Sequence, residues 1–143
     1  MIGEQARCRS LKTATSAVVG YSCIIDLSNR DDQAREQNWV RGKAFDGAAP
    51  LGPVVAPPAT VPADARITLR VNDEQRQAAT RSELVFSVPE LIAEITQYCT
   101  LEPGDIIATG TPAGVGPLQP GDEVTVTIEG VGSLAHSVDS PPH

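Results

Sequence analysis

The sequence predicts a mostly β, α+β fold with one main helix over about residues 88–99. Three observations predict it. Glycine and proline number 12 each in 143 residues, and so much punctuation in a folded chain means many turns and short strands rather than a helical bundle. Several short segments alternate apolar and polar residues with period 2, as half-buried strands do. A single segment combines a helix start signal with apolar residues at helical spacing.

In chain order, residues 1–16 show neither period and are expected to form a disordered or unrelated lead-in. Ala17–Asp26 is an apolar, β-branched run, expected to be a buried strand ending in a carboxylate. Leu27–Gln37 is polar, and Ser28 followed by Asp31 suggests a capped helical turn. Trp39–Pro58, rich in glycine and proline, reads as loop. Arg66–Val71 alternates as a half-exposed strand, and Asn72-Asp73-Glu74 turns the chain into Gln75–Ala79. Ser87–Thr100 is the helix: Ser87 and Glu90 form a capping box, Pro89 sits in the first turn, and Val88, Leu91, Ile92, Ile95 and Cys99 share one face. Ile106–Thr109, Glu123–Glu129 and Ser133–Val138 are expected strands. Leu101-Glu-Pro-Gly-Asp105 and Leu118-Gln-Pro-Gly-Asp122 read as two turns built the same way. Residues 139–143 form a tail.

Eighteen acidic residues against 11 basic ones give a net charge of −7, which argues against a general nucleic-acid binder. Aromatic residues make up only 3%, which argues equally against base-stacking platforms. No apolar run approaches the roughly 20 residues that span a bilayer, and the N-terminus has no signal-peptide apolar core. Cys8, Cys23 and Cys99 make neither a disulfide framework nor a C-x-x-C pair, which points to a reducing cytoplasm.

Few residues stand out for chemistry. Asp26, at the end of an apolar strand, must cap, pair or bind a metal; an ion pair with Arg30 and a ligand role fit the pattern equally. Lys43, inside Arg41-Gly42-Lys43-Ala44-Phe45-Asp46-Gly47, is either a surface lysine or a point charge for a ligand oxygen. Thr109-Gly110-Thr111-Pro112, followed by Gly114 and Gly116, is either a structural turn or a loop offering amides and hydroxyls to an anion. His136 and His143 read as structural, and nothing supports a Ser-His-Asp or zinc constellation.

Together, four ordered blocks resemble the fumarylacetoacetate hydrolase family. Gly20-Tyr21 through Asp26-Leu27-Ser28-Asn29-Arg30-Asp31-Asp32-Gln33 is similar to its G-Y-x-x-x-N-D-x-S-A-R-D-x-Q. Gly42-Lys43-Ala44-Phe45-Asp46 with Pro50-Leu51-Gly52-Pro53 is similar to G-K-S-F-D-x-x-x-P-x-G-P. Thr80–Phe86 with the helix after it resembles T-S-x-M-I-F-S-x-x-E-L-I, and Thr100–Asp105 through Thr109–Gly116 is the most specific block. The likeness covers about residues 18–138.

The resemblance implies a mixed β-roll or sandwich, usually a homodimer, over a partial catalytic domain at 17–138. It implies a divalent cation (Mg²⁺, Mn²⁺ or Ca²⁺) that stabilises an enolate during C–C hydrolysis, isomerisation or decarboxylation of 2-oxo or β-diketo acids, as in aromatic catabolism. By position, Asp26 would be a metal ligand and Lys43 would hold a substrate oxygen and orient water. Thr111, with Gly110, would bind a carboxylate, and Arg30 and Gln33 would position substrate. The family's two further metal-binding glutamates, a Glu-x-Glu pair, and its upstream histidine base have no counterpart before Ala17, and Ile25 and Asn29 replace the usual Asn and Ala. The chain is therefore expected to be the C-terminal part of such a domain. The alternative is a non-catalytic remnant or assembly partner.

Overall fold

The computed structural model describes residues 1–140. Its main sheet contains four antiparallel strands: β3 (Arg66–Val71), β4 (Glu74–Thr80), β5 (Glu123–Ile128) and β6 (Gly132–Ser137), in the order β4-β3-β5-β6. The register sets Ile67 against Ile128, Leu69 against Val126, and Val71 against Val124. The period-2 alternation thus gathers six branched apolar side chains on one face and leaves Thr68, Arg70, Thr125 and Thr127 on the other. Cys23 and Ile25 pack on the apolar face, and Val124 and Val126 are buried between the layers. Burial pushes the Cys23 thiol pKa up.

The second sheet pairs β1 (Tyr21–Ile24) with β2 (Leu51–Ala56). Gly20 lets them close, because a Cβ there would stand 2.5 Å from the Ala56 carbonyl oxygen. β2 forms inside the segment expected to be loop. The pairing edge of β1 overrides its Gly-Pro content, as tertiary context does with weak strand propensity. Two short helices, α2 (Arg30–Arg35) and α3 (Val40–Lys43), fill the chain between β1 and β2. Asn29, rather than Ser28, caps α2, its Oδ1 accepting from the Asp32 amide at 3.3 Å.

The lead-in expected at residues 1–16 is instead part of the core. Ile2 bridges Val18, Ala6 bridges Leu101, and α1 (Leu11–Ala14) packs against α4 (Val88–Tyr98). Ile2, Ala6, Ala14 and Ala17 are buried with Ile92 and Leu101. Irregular backbone bonds, such as Ile2 N–H to Asp105 and Cys8 N–H to Thr96, hold this segment, and they leave no periodic sequence trace. α4 begins as expected: the Ser87 amide and hydroxyl both donate to the Glu90 carboxylate, at 2.7 and 2.6 Å. Those bonds hold Glu90 below the usual carboxylate range.

The two echoed turns are the same device. The Asp105 carboxylate accepts from the Glu102 amide and the Asp122 carboxylate from the Gln119 amide, each at 2.8 Å. Gly104 and Gly121 take φ of +97° and +92°. The Gln119 amide, with the Asn72 carboxamide, lowers the Asp122 pKa. Ile106–Thr109 is not a strand; among the described residues no strand pairs with it, and it runs along the wall of the cleft described below. Asp139 and Ser140 have no regular structure, and the rest of the expected tail, residues 141–143 with His143, lies outside the described residues. No helix is long and apolar enough to cross a membrane among those residues.

Candidate functional site

A cleft of about 840 Å³ opens over the apolar face of the main sheet. That is the size of a small-molecule site. Leu69, Val126 and their neighbours form its floor, and polar residues from three loops form its rim.

The first loop follows β1. The pairing of β1 continues as a backbone ladder: the amides of Ile25, Leu27 and Asn29 donate to the carbonyls of Pro50, Ala48 and Gly42, at 3.0, 2.9 and 3.0 Å. This ladder sets Asp26 beside α3. Gly42 is buried where the two strips touch, and a Cβ there would meet the Gln33 side chain at 2.4 Å and the Asn29 carbonyl at 3.1 Å. Only glycine permits that approach. Glu36 fixes the other end of α3, pairing with the Arg41 guanidinium at 2.8 Å and accepting from the Arg41 amide at 3.2 Å. Lys43, the last residue of α3, then places its Nζ 2.7 Å from Asp26 Oδ2. The ion-pair partner of Asp26 is therefore Lys43, not the Arg30 that sequence proximity suggested. The Lys43 side chain is 33% exposed and Asp26 49%, so the pair faces solvent in the cleft.

Arg30 opens α2 and lines the cleft, with its Nη1 donating to Gln33 Oε1 at 2.9 Å. Gln33 does not line the cleft; it stands behind the wall, bracing Arg30 and packing under Gly42. The Thr109–Gly116 loop also lines the cleft, with Gly110 and Thr111 on it. This loop rests on β4. Gly114, at φ +103°, lies so close that a Cβ would fall 1.9 Å from the Arg76 carbonyl oxygen. Gln77 Nε2 donates to Thr111 Oγ1 at 3.0 Å and to the Pro112 carbonyl at 3.2 Å.

Five of the six residues expected at the site thus share one cleft. Sequence reasoning missed Gln77, Arg76 and Arg81. Within Glu74-Gln75-Arg76-Gln77 each reads as a solvated strand residue, and the sole hint was that Gln77 keeps the parity of apolar Ala79. Asp26 is the single carboxylate on the described lining, against the cations Arg30, Lys43, Arg76 and Arg81. Arg76 is paired with Glu74 at 3.0 Å, and Arg81 bonds the Tyr21 hydroxyl at 2.7 Å. In a chain of net charge −7, this local excess of positive charge favours an anion. No three His, Cys, Asp or Glu side chains come together among the described residues. One carboxylate held by an ammonium does not complete a divalent-cation site, so these residues alone do not fit a metal.

Such a fold and cleft define a mixed α+β scaffold with a cleft of small-molecule size. The model of the fumarylacetoacetate (FAA) hydrolase C-terminal region matches residues 1–139, and the chain belongs to the fumarylacetoacetate hydrolase family, whose members are hydrolases and isomerases. Residues 1–16 fall inside that match, so they are not unrelated to it. The 4-hydroxyphenylacetate degradation bifunctional isomerase/decarboxylase of Escherichia coli is 43% identical over 144 residues, covering 98% of this chain and 33% of that protein. The crystal structure of fumarylpyruvate hydrolase from Pseudomonas aeruginosa, in complex with Mn²⁺ and pyruvate, superposes with a TM-score of 0.91 at 36% identity, covering 98% of this chain and 62% of that one. The 5-carboxymethyl-2-hydroxymuconate delta-isomerase of Mycobacterium smegmatis gives 0.95 at 35% identity, covering 99% and 56%. The chain spans between 33% and 64% of the length of curated relatives it matches.

Proposed function

We propose that this cleft is the substrate-anchoring part of a hydrolase or isomerase acting on 2-oxo or β-diketo acids. The observation that carries this is the gathering of Lys43, Arg30, Gly110 and Thr111 around one cleft that holds a single carboxylate. Lys43 keeps donors to spare beyond its bond to Asp26, and offers them to a substrate oxygen or an attacking water. Arg30 presents a planar fork suited to a carboxylate. Thr111 and the Gly110 amide hold the carboxylate from the Thr109–Gly116 loop. The apolar floor takes the carbon chain and excludes water from it.

Asp26 is the one carboxylate on the described cleft lining that would ligate a divalent cation, Mg²⁺, Mn²⁺ or Ca²⁺. Such a cation would supply positive charge to a substrate oxygen. Its other ligands, and a general base, would come from outside the described residues. The apolar side chains left exposed on β2, Leu51, Val54 and Val55, support a homodimer. Three free cysteines agree with a cytoplasmic setting.

The single carboxylate also favours a second reading, a non-catalytic remnant or assembly partner. The test is turnover of an acylpyruvate and tautomerisation of oxaloacetate by the chain, with Mg²⁺ or Mn²⁺ titrated in. Metal-dependent turnover supports the proposal and sinks the remnant. Binding of the oxo acid without turnover assigns this chain the anchoring role only. Absence of both binding and turnover refutes the proposal.

A further inference from the structure

Gln77 is buried, 9% exposed, and stands on β4 opposite Leu69, on the apolar side of the main sheet. A carboxamide there is costly unless its polar atoms are bonded. Both bonds of its nitrogen go to the same loop, one to Thr111 Oγ1 and one to the Pro112 carbonyl. The second fixes the amide's orientation, because a carbonyl can only accept, so the nitrogen must face it. Its neighbour then receives a donated hydrogen as well. A threonine hydroxyl has one proton and two lone pairs. With a lone pair occupied by Gln77, the proton of Thr111 is free to point into the cleft that Thr111 lines.

We propose that Gln77 is a positioning residue that sets the hydrogen-bonding sense of Thr111. It holds the hydroxyl as a donor toward the cleft and thereby selects a carboxylate over an uncharged group at that position. The inference rests on the reading that Thr111 meets the substrate's carboxylate. Gln77 touches no substrate itself; it acts through Thr111 and through the loop that Gly114 seats on β4. Without the amide, nothing holds the hydroxyl as an acceptor on the β4 side, and its proton is no longer directed into the cleft.

The test uses the full chain and two probes, pyruvate and its uncharged methyl ester, with affinities measured by NMR titration. Gln77→Met keeps volume and removes both hydrogen bonds. It is expected to weaken pyruvate binding roughly tenfold to a hundredfold, the scale of a hydrogen bond to a charged group, and to leave methyl pyruvate within about twofold. Thr111→Val is expected to cause a similar loss. The double variant should bind no more weakly than Thr111→Val alone, because the two residues act as one unit. Gln77→Glu, with the same shape, covers the case of a Gln77→Met chain that fails to fold. It should likewise lose pyruvate selectivity, and the loss should shrink in the Thr111→Val background. Equal losses for both probes, or additive losses in the double variant, would reduce Gln77 to a packing residue and overturn the inference. If the wild-type chain binds no pyruvate, the reading of the cleft falls, and the inference falls with it. If it binds and the Gln77 variants bind equally well, the inference alone is overturned.

Discussion

Replacing Gly114 by alanine tests whether the close seating of the Thr111 loop on β4 builds the site. Two costs meet at this position. The backbone has φ +103°, a region that alanine occupies at a cost of about 1–3 kcal/mol. The new Cβ would lie 1.9 Å from the Arg76 carbonyl oxygen, whereas ordinary contact needs about 3.4 Å. The loop must therefore lift by roughly 1.5 Å, beyond the reach of the 3.0 Å bond from Gln77 to Thr111. Misplacement by about 1 Å can cost a binding or catalytic constellation on the order of a hundredfold. Pyruvate affinity should fall by about that factor. Global stability should fall by at least the backbone cost, a few degrees or more in thermal midpoint for a chain of this size. Gly121→Ala is the control, since Gly121 has φ +92° with nothing within 4 Å of a Cβ and does not line the cleft. It adds strain without the collision and should weaken pyruvate much less. A Gly114→Ala chain that binds like wild type, or two alanine variants that lose affinity equally, would refute the role of the close contact.

Lys43→Met should lower pyruvate affinity tenfold or more. It should shift stability by less than about 1 kcal/mol, because its partner Asp26 is half exposed and such pairs contribute little; urea denaturation beside the binding titration checks both. Ile92→Ala, at one of the most buried side chains, should cost about 2–5 kcal/mol by denaturant unfolding, and it should loosen residues 1–17 along with α4, as hydrogen exchange would show. Glu90 and Asp122 titrate lower in the folded chain than in the unfolded one. Their stabilisation is therefore complete above the ordinary carboxylate range of roughly pH 4–4.5 and is lost as pH falls through the folded values. Glu90→Gln should flatten the acid limb of a stability-against-pH curve, and an unchanged limb would contradict the role of the Ser87 bonds.

Much of this architecture was legible because it is local. The alternation at Arg66–Val71 and Glu123–Ile128 became strands β3 and β5, and Ser87 with Glu90 began α4. The paired Leu-x-Pro-Gly-Asp turns have matching carboxylate bonds. What escaped was non-local. Residues 1–16 are held by bridges to Val18 and Leu101 and by irregular backbone bonds to Asp105 and Thr96, which leave no period in the sequence. β2 exists because β1 lies beside it, and Ile106–Thr109 has strand composition with no partner strand among the described residues. At the site, the family resemblance singled out Asp26, Arg30, Gln33, Lys43, Gly110 and Thr111, of which all but Gln33 line the cleft. The Asp26–Lys43 contact depends on the ladder to Pro50, Ala48 and Gly42, and the burial of Gln77 depends on sheet register. Neither is written in any short window.

The central claim is that the cleft recognises the carboxylate end of a 2-oxo acid through Lys43 and Thr111. A chemical-shift titration of the chain with pyruvate tests it most directly, with Lys43→Met and Thr111→Val run alongside. The account predicts saturable shifts confined to the loops around Asp26, Lys43 and Thr111, strongly weakened in each variant. Shifts that do not saturate, that map elsewhere on the sheet, or that persist unchanged in both variants would contradict it.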